Sequence, residues 1–298
     1  MERTKKIFEN LSNRRSTGET PRGRSVMTIT TLMDNTASEN LAFEHGLSFW
    51  IEYNDKHIVF DTGQSNAFVK NAKQLGIDPA ETDAIVISHG HYDHTGGLAA
   101  LLNIAPEATV YIHPAALKPK FSRKGNRNIG VSDSIKRTLF QRANQGKVIR
   151  TERPTEIFPG LLTTGRIPRN TDFEDTGGSF FINAQCTKED PLFDDQAVFA
   201  ETGKGLVVLL GCAHAGVINT LDYAVKLAHQ NNIYAVIGGM HLLNASPERI
   251  ERTIDTFKHY NVQKIRPAHC TGNNAVEKLK QTFAERCSVC CAGSRMYL

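Results

Sequence analysis

Four apolar runs in this chain end in the same way. Ala84-Ile85-Val86-Ile87 leads to His89, Leu206-Val207-Val208-Leu209-Leu210 to His214, Tyr234-Ala235-Val236-Ile237 to His241, and Val262 to Ile265, through Pro267, to His269. Each is a strand-length run, then a small or turn residue, then a histidine. If these strands lie side by side with their carboxyl ends on one edge, residues more than a hundred positions apart converge where α/β proteins usually hold ligands. Helical runs alternate with them, so the chain reads as α/β or mixed layers.

The first histidine opens a dense cluster, His89-Gly90-His91-Tyr92-Asp93-His94. Alternate side chains of an extended segment share a face, so His89 and His91 can present imidazoles to one ion. A turn beginning at Tyr92 lets Asp93 and His94 address a second. Thr95-Gly96-Gly97 then opens a helix through Leu98, Leu101 and Leu102. Neutral imidazoles with a carboxylate suit two divalent metal ions, zinc in the first place, with iron or manganese as alternatives. Three protein ligands per ion leave a position free for water or substrate, which is a catalytic arrangement. A hydrogen-bonded histidine cluster in a polar loop is the competing explanation. It accounts poorly for three histidines and an aspartate in six residues behind a buried strand.

Around this cluster, Val26 to Thr31, Leu47 to Tyr53 and His57 to Asp61 read as strands, the last two joined by an Asn54-Asp55 turn. Residues 65–75 place Phe68, Ala72 and Leu75 at helical spacing and stop at Gly76. His113 follows Val110-Tyr111-Ile112 as a strand-end residue. From there to about Ala197 periodicity is weak, and residues 115–195 are expected to form a substrate-facing insertion. Segment 118–127 carries five basic residues and no acid, including Arg123, Lys124 and Arg127. Arg166 and Arg169 flank Ile167-Pro168. Guanidinium forks and lysines suit phosphate or carboxylate recognition, although a solvated loop face explains either cluster as well.

The formal net charge of +4 is localised. Residues 1–25 hold seven Arg or Lys and three Glu, so the remaining 28 basic and 28 acidic residues cancel. That segment has adjacent arginines but no apolar run of the kind an export signal needs, and is read as a mobile basic extension rather than a nucleic-acid-binding element. No run is apolar for long enough to span a bilayer. Six cysteines, three of them (Cys287, Cys290 and Cys291) crowded near residue 290, form no regular disulfide framework. The expected compartment is therefore the cytoplasm. Cys287-Ser288-Val289-Cys290 has knuckle spacing, but no second pair completes a tetrahedral site.

Ser88 to Gly97 (SHGHYDHTGG) resembles the His-x-His-x-Asp-His signature of the metallo-β-lactamase superfamily, and Phe60-Asp61-Thr62-Gly63 resembles the strand and turn that precede it there. Gly211-Cys212-Ala213-His214-Ala215-Gly216, Gly238-Gly239-Met240-His241-Leu242 and Pro267-Ala268-His269-Cys270-Thr271-Gly272 are similar to the branch containing the dihydropterin synthase of methanopterin biosynthesis. The resemblance covers residues 26–298. It implies one domain with an αββα sandwich, two mixed sheets face to face with helices outside and metals at one edge.

Carried over position by position, it puts His89, His91 and His214 on one metal and Asp93, His94 and His269 on the other, with Asp93 also catalytic. Many relatives have a bridging aspartate in a Gly-Asp pair where this chain has Gly211-Cys212. Cys212 is then either a thiolate ligand or a small buried residue. His241 is a substrate-binding or a structural histidine, and Glu44-His45-Gly46, also found in that branch, is equally a polar turn. Thr164-Gly165-Arg166-Ile167-Pro168-Arg169 matches the branch except that an acid is expected at Arg166, which reverses the local charge. Arg166 and Arg169 join His241 as candidate substrate-binding residues. The implied function is a metal-dependent, synthase-like transferase acting on an anionic, phosphate-bearing small molecule. Hydrolysis of a phosphate ester, phosphodiester or other ester is the alternative, and a non-catalytic metal-containing binding protein a second one.

Overall fold

A computed structural model describes residues 27–298. The basic extension 1–25 and the expected start of the first strand at Val26 lie outside the described residues. Seven strands form one sheet: β1 (Met27–Met33), β2 (Ser48–Tyr53), β3 (Lys56–Phe60), β4 (Ala84–Ile87), β5 (Thr109–Ile112), β8 (Val148–Arg150) and β16 (Arg295–Tyr297), in the order β16-β1-β2-β3-β4-β5-β8. Six form the second: β9 (Thr155–Phe158), β10 (Leu161–Thr163), β12 (Val198–Thr202), β13 (Gly205–Leu210), β14 (Ile233–Gly239) and β15 (Lys264–Ala268), in the order β15-β14-β13-β12-β10-β9. A small sheet of β6 (Phe121–Ser122), β7 (Arg127–Asn128) and β11 (Phe180–Phe181) has the order β11-β6-β7. Both large sheets are mixed. For example, β2 pairs antiparallel with β3 and β3 parallel with β4, while β12 pairs antiparallel with β13 and β13 parallel with β14.

The two large sheets pack face to face over a core that includes Ile29, Phe49, Phe60 and Val86 from the first and Val198, Val207, Leu209 and Ile237 from the second. Along β13, Val207 and Leu209 point into this core and Val208 points outward beneath helices. That period of two explains why β13 is buried at every position: both of its faces are covered. The outer face of the first sheet carries α1 (Ala67–Gln74), α3 (Leu98–Ile104) and α4 (Asp133–Ala143), with the single turn α2 (Tyr92–Thr95) at its edge. The second carries α5 (Val217–Ala228), α6 (Pro247–His259) and α7 (Asn273–Phe283). The architecture is the αββα sandwich.

Local chemistry sets the helix ends. Ser246 caps α6 by accepting a hydrogen bond from the Arg249 amide, with Pro247 in the first turn. After α1, Gly76 takes φ +72°, where a side chain would be strained, and ends the helix as its sequence suggests. None of the helices among the described residues is long and apolar enough to cross a membrane.

The four histidine-tipped strands do not form one row. β13, β14 and β15 are parallel neighbours, whereas β4 belongs to the other sheet. The histidines meet across the rim of the sandwich. Segment 115–195 is also divided: α4 and β8 extend the first layer pair, β9 and β10 extend the second sheet, and β6, β7 and β11 lie over the rim.

Candidate metal centre

Each donor sits just beyond a strand and is held from behind. Asp61, following β3, is fully buried with φ +61°. Its carboxylate accepts from the Ser88 amide at 2.7 Å and the Ser88 hydroxyl at 2.6 Å, and stands 2.7 Å from His94 Nδ1. Ser88 Oγ in turn lies 2.9 Å from His89 Nδ1. Both rings thus have one nitrogen engaged at the back and Nε2 turned to the rim. His91 remains extended (φ −82°, ψ 150°) before the turn α2, which carries Asp93 and His94. Gly90, between the first two histidines, is pressed so close to the 114–117 turn that a Cβ would stand 2.0 Å from the Ala116 carbonyl oxygen. Asp194 accepts from the Gly90 amide at 2.7 Å and is itself paired at 2.8 Å with the buried Lys120, which also binds Asp190.

The second sheet brings His214, whose Nδ1 donates to the Thr176 carbonyl at 2.7 Å, leaving the Nε2 lone pair free. His214 Nε2 and His91 Nδ1 lie 3.2 and 2.9 Å from His89 Nε2, so three ring nitrogens converge on one point. A second group forms around Asp93. Its Oδ2 stands 3.1 Å from His45 Nε2, 3.3 Å from His269 Nε2 and 3.9 Å from His94 Nε2. Cys212 Sγ is 3.2 Å from the same His94 nitrogen. His269 Nδ1 meets Asn35 Oδ1 at 2.9 Å, and the His269 amide donates to Asp34.

The electrostatics match this geometry at His89, His91, His214 and Asp93. Burial, reinforced by the neighbouring imidazoles, holds His89 and His214 well below the ordinary histidine range, and burial pushes His91 down to about 3. Burial opposes ionisation of Asp93, but the imidazoles of His94, His269 and His45 outweigh it and hold its carboxyl well below the usual range. Neutral imidazoles and an ionised carboxylate are the protonation states a divalent cation requires. His94 departs from this: burial opposes its charge, but Asp61 and Asp93 outweigh it and raise its pKa to about 9, so it holds a proton that a bound cation would displace. Ring nitrogens that converge without a shared acceptor suit a cation at their meeting point. The donors fit divalent cations.

Above them lies a cavity of about 430 Å³, with His241, Phe180, Tyr92, Lys124 and Arg127 in its lining. Phe180 packs edge-on to His214, centroids 5.2 Å apart. Arg127 donates to the Tyr92 hydroxyl at 3.0 Å and lies over its ring. His241, at φ +45°, faces His214 with centroids 4.4 Å apart, and its Nδ1 is buried without a partner.

The structure places Arg166 and Arg169 elsewhere. The Arg166 guanidinium lies over the Phe193 ring at 3.7 Å, and Arg169 donates to the carbonyls of Pro191 and His214 at 3.0 and 2.7 Å. Neither lines the cavity. Arg169 instead supports the His214 loop from behind. Sequence reasoning gave no site role to Asp61, Asn35, Phe180 or Cys270, although Asp61 and Cys270 lie in motifs it singled out. Asp61 carried a signal: it ends an apolar strand as the four histidines do.

Comparison with known proteins follows the same lines. Residues 41–180 match the family model of the metallo-β-lactamase superfamily. The chain is 33% identical over 271 residues to 7,8-dihydropterin-6-methyl-4-(β-D-ribofuranosyl)-aminobenzene-5'-phosphate synthase of Methanocaldococcus jannaschii, covering 86% of this chain and 92% of that protein. A second, uncharacterized protein of that organism is 35% identical over 259 residues, covering 85% of this chain and 94% of its own length. The crystal structure of Tm1679, a metal-dependent hydrolase of the β-lactamase superfamily, superposes with a TM-score of 0.77 at 32% identity, over 91% of this chain and 98% of that one. Zn²⁺-bound PqqB from Methylobacterium extorquens shares the fold alone, at 13% identity and a TM-score of 0.55 over 91% of this chain and all of PqqB. With one sandwich, one signature loop and a full-length relative in common, the chain belongs to the metallo-β-lactamase superfamily.

Proposed function

We propose that the protein is a metal-dependent enzyme acting on a phosphate-bearing small molecule, as a transferase of the kind its synthase relative is named for. The observation that carries this reading is the cavity. Its floor is the histidine and carboxylate cluster, and its lining includes the aromatic rings of Phe180 and Tyr92 and the cationic groups of Lys124 and Arg127. A planar ring between Phe180 and Tyr92 would leave its anionic substituent within reach of those cations.

His89, His91 and His214 would hold one ion and Asp93, His94 and His269 the other. When bound, such ions polarise a phosphate oxygen and neutralise the charge developing on a leaving group. The chain's own residues do the rest. Lys124 and Arg127 bind the anion, and Phe180 and Tyr92 exclude water from one face of the ring. Asp93 Oδ2, between His45 and His269, holds a negative charge at the rim. His241, which lines the cavity beside His214, orients the substrate.

Hydrolysis of a phosphate ester or other ester is the second reading, favoured by the likeness to Tm1679. Metal analysis followed by a substrate screen separates the two. Dihydropterin pyrophosphate offered with an aminobenzene ribofuranosyl phosphate should give coupled product. Turnover only of cyclic or linear phosphodiesters or thioesters would transfer the assignment to the hydrolase. Silence on every class with metal bound would leave a binding protein.

A further inference from the structure

Two cysteines from different strands meet at the rim, and neither packing nor the histidine pattern accounts for them. Cys212 lies just beyond β13 and Cys270 just beyond β15, with β14 running between these strands. A side chain on the middle strand would hold the two loops apart. The residue there is Gly239, where a Cβ would stand 2.7 Å from Cys270 Sγ, 2.4 Å from the Gly211 carbonyl oxygen and 3.4 Å from the Cys212 Cα. The missing side chain is what allows the thiols to approach. The Cys212 and Cys270 sulfurs and a ring nitrogen of His269 all lie within 4.8 Å of one another. A second such group joins Cys212 to His214 and His241.

The remaining thiols make a useful contrast. Cys290 is also buried, but its sulfur contacts the Arg266 carbonyl, at 3.8 Å, and lies away from the cavity. Cys212 Sγ instead faces His94 Nε2 at 3.2 Å, and both Cys212 and Cys270 line the cavity. Two sulfurs and an imidazole, open to a cavity on one side, are a donor set for a thiophilic cation such as zinc, with a position left for substrate.

We propose that the second cation position is a sulfur site in which Cys212 and Cys270 ligate as thiolates beside His269. This rests on the reading that the histidine cluster holds metal, and adds to it a ligand class that the His-x-His-x-Asp-His run does not contain. Asp93 keeps its place beside His269 and His94, so the thiolates add to the imidazole and carboxylate donors rather than replace them. The two thiolates favour zinc, cobalt or cadmium over manganese, whose preference is for oxygen donors.

X-ray absorption on the zinc-loaded full chain, kept under a reductant, tests this without any substitution. The expected spectrum contains sulfur scatterers at about 2.3 Å besides nitrogen or oxygen at about 2.0–2.1 Å. Cys212→Ser and Cys270→Ser should each remove part of the sulfur shell and the double variant all of it, while Cys290→Ser leaves it unchanged. Zinc affinity of the double variant should fall by more than the roughly 10–100-fold that follows loss of a partner behind a ligand. If the cysteine variants do not fold, cobalt-loaded wild-type protein carries the same question. A sulfur-to-cobalt charge-transfer band is expected. Bound metal with a purely nitrogen and oxygen shell, and no such band, would overturn the sulfur site and leave the histidine centre standing. Failure to bind metal at all would overturn both.

Discussion

The Asp61 carboxylate stands 2.7 Å from His94 Nδ1, and so orients, from outside the donor cluster, the ring that faces both Asp93 and Cys212. The same carboxylate holds Ser88, which contacts His89 Nδ1. One residue therefore aligns a ring in each of the two proposed donor sets. Asp61→Asn keeps the size but presents an amide where a carboxylate oxygen now faces both Ser88 and His94. We expect metal affinity or kcat/KM to fall by about 10–100-fold. Competition titration with a chelator measures it, and an unchanged affinity would show that Asp61 is only a packing group.

Asp93→Ala should abolish turnover and weaken metal binding while the chain still folds. Asp93 side-chain contacts are to His45, His94 and His269 at the rim rather than to the apolar core, and its loss removes a ligand instead of a packing contact. Metal content and the thermal unfolding midpoint should be read on one preparation. Full occupancy with normal activity would remove Asp93 from the centre.

Neutralising Lys124 and Arg127 together should raise KM for an anionic substrate with metal content unchanged. Both side chains are exposed, so the effect is expected at about 0.2–1 kcal/mol per contact, a few-fold in kcat/KM for each. Arg169→Ala provides the contrast. It should loosen the His214 loop and lower metal affinity, because Arg169 holds the His214 carbonyl. Equal KM effects from the two substitutions would contradict this division of roles.

Lys120 is 1% exposed and pairs with Asp190 and Asp194. Lys120→Met should destabilise the protein by about 3–5 kcal/mol, since two buried carboxylates lose their countercharge. The pH dependence has a definite sign. Burial opposes the charge on Lys120, but Asp194 and Asp190 raise its pKa above 10.5, so its contribution is present below that value and lost as pH rises through the raised one. Burial likewise opposes the charge on Asp194, but Lys120 lowers its pKa below 3.8, so that contribution is present above 3.8 and lost as pH falls through the lowered value. Urea unfolding should therefore show a constant deficit for the variant across the neutral range. A deficit that grew or vanished there would place the stabilisation elsewhere.

Much of this molecule was legible because periodicity and metal chemistry are local signals. The strands 84–87 and 206–210, the helix ending at Gly76 and the extended His89 and His91 all follow from side-chain spacing. What was hidden depends on pairing between distant segments. No pattern near Val86 reveals that β4 lies in a different sheet from β13, and nothing near Lys120 shows that it reaches Asp194. Arg166 and Arg169 looked like anion binders because guanidinium chemistry is the same whether it meets a phosphate, an aromatic ring or a backbone carbonyl. Only the fold distinguishes those partners. His45 read as a turn residue for a similar reason: its neighbour Asp93 arrives from another loop.

The pairing of Asn35 with His269 joins residues 234 positions apart. A chain emerging from the ribosome presents the His89 to His94 loop well before His269 and the β15 strand that carries it. An ion captured before then finds only part of its cage and can leave again. Completion of the cage thus waits for β15, and metal retention reports that β15 has docked against β14. A protein interrupted ahead of His269 would lose its ions to any competing chelator, and loading would act as an assembly checkpoint as well as a supply of chemistry.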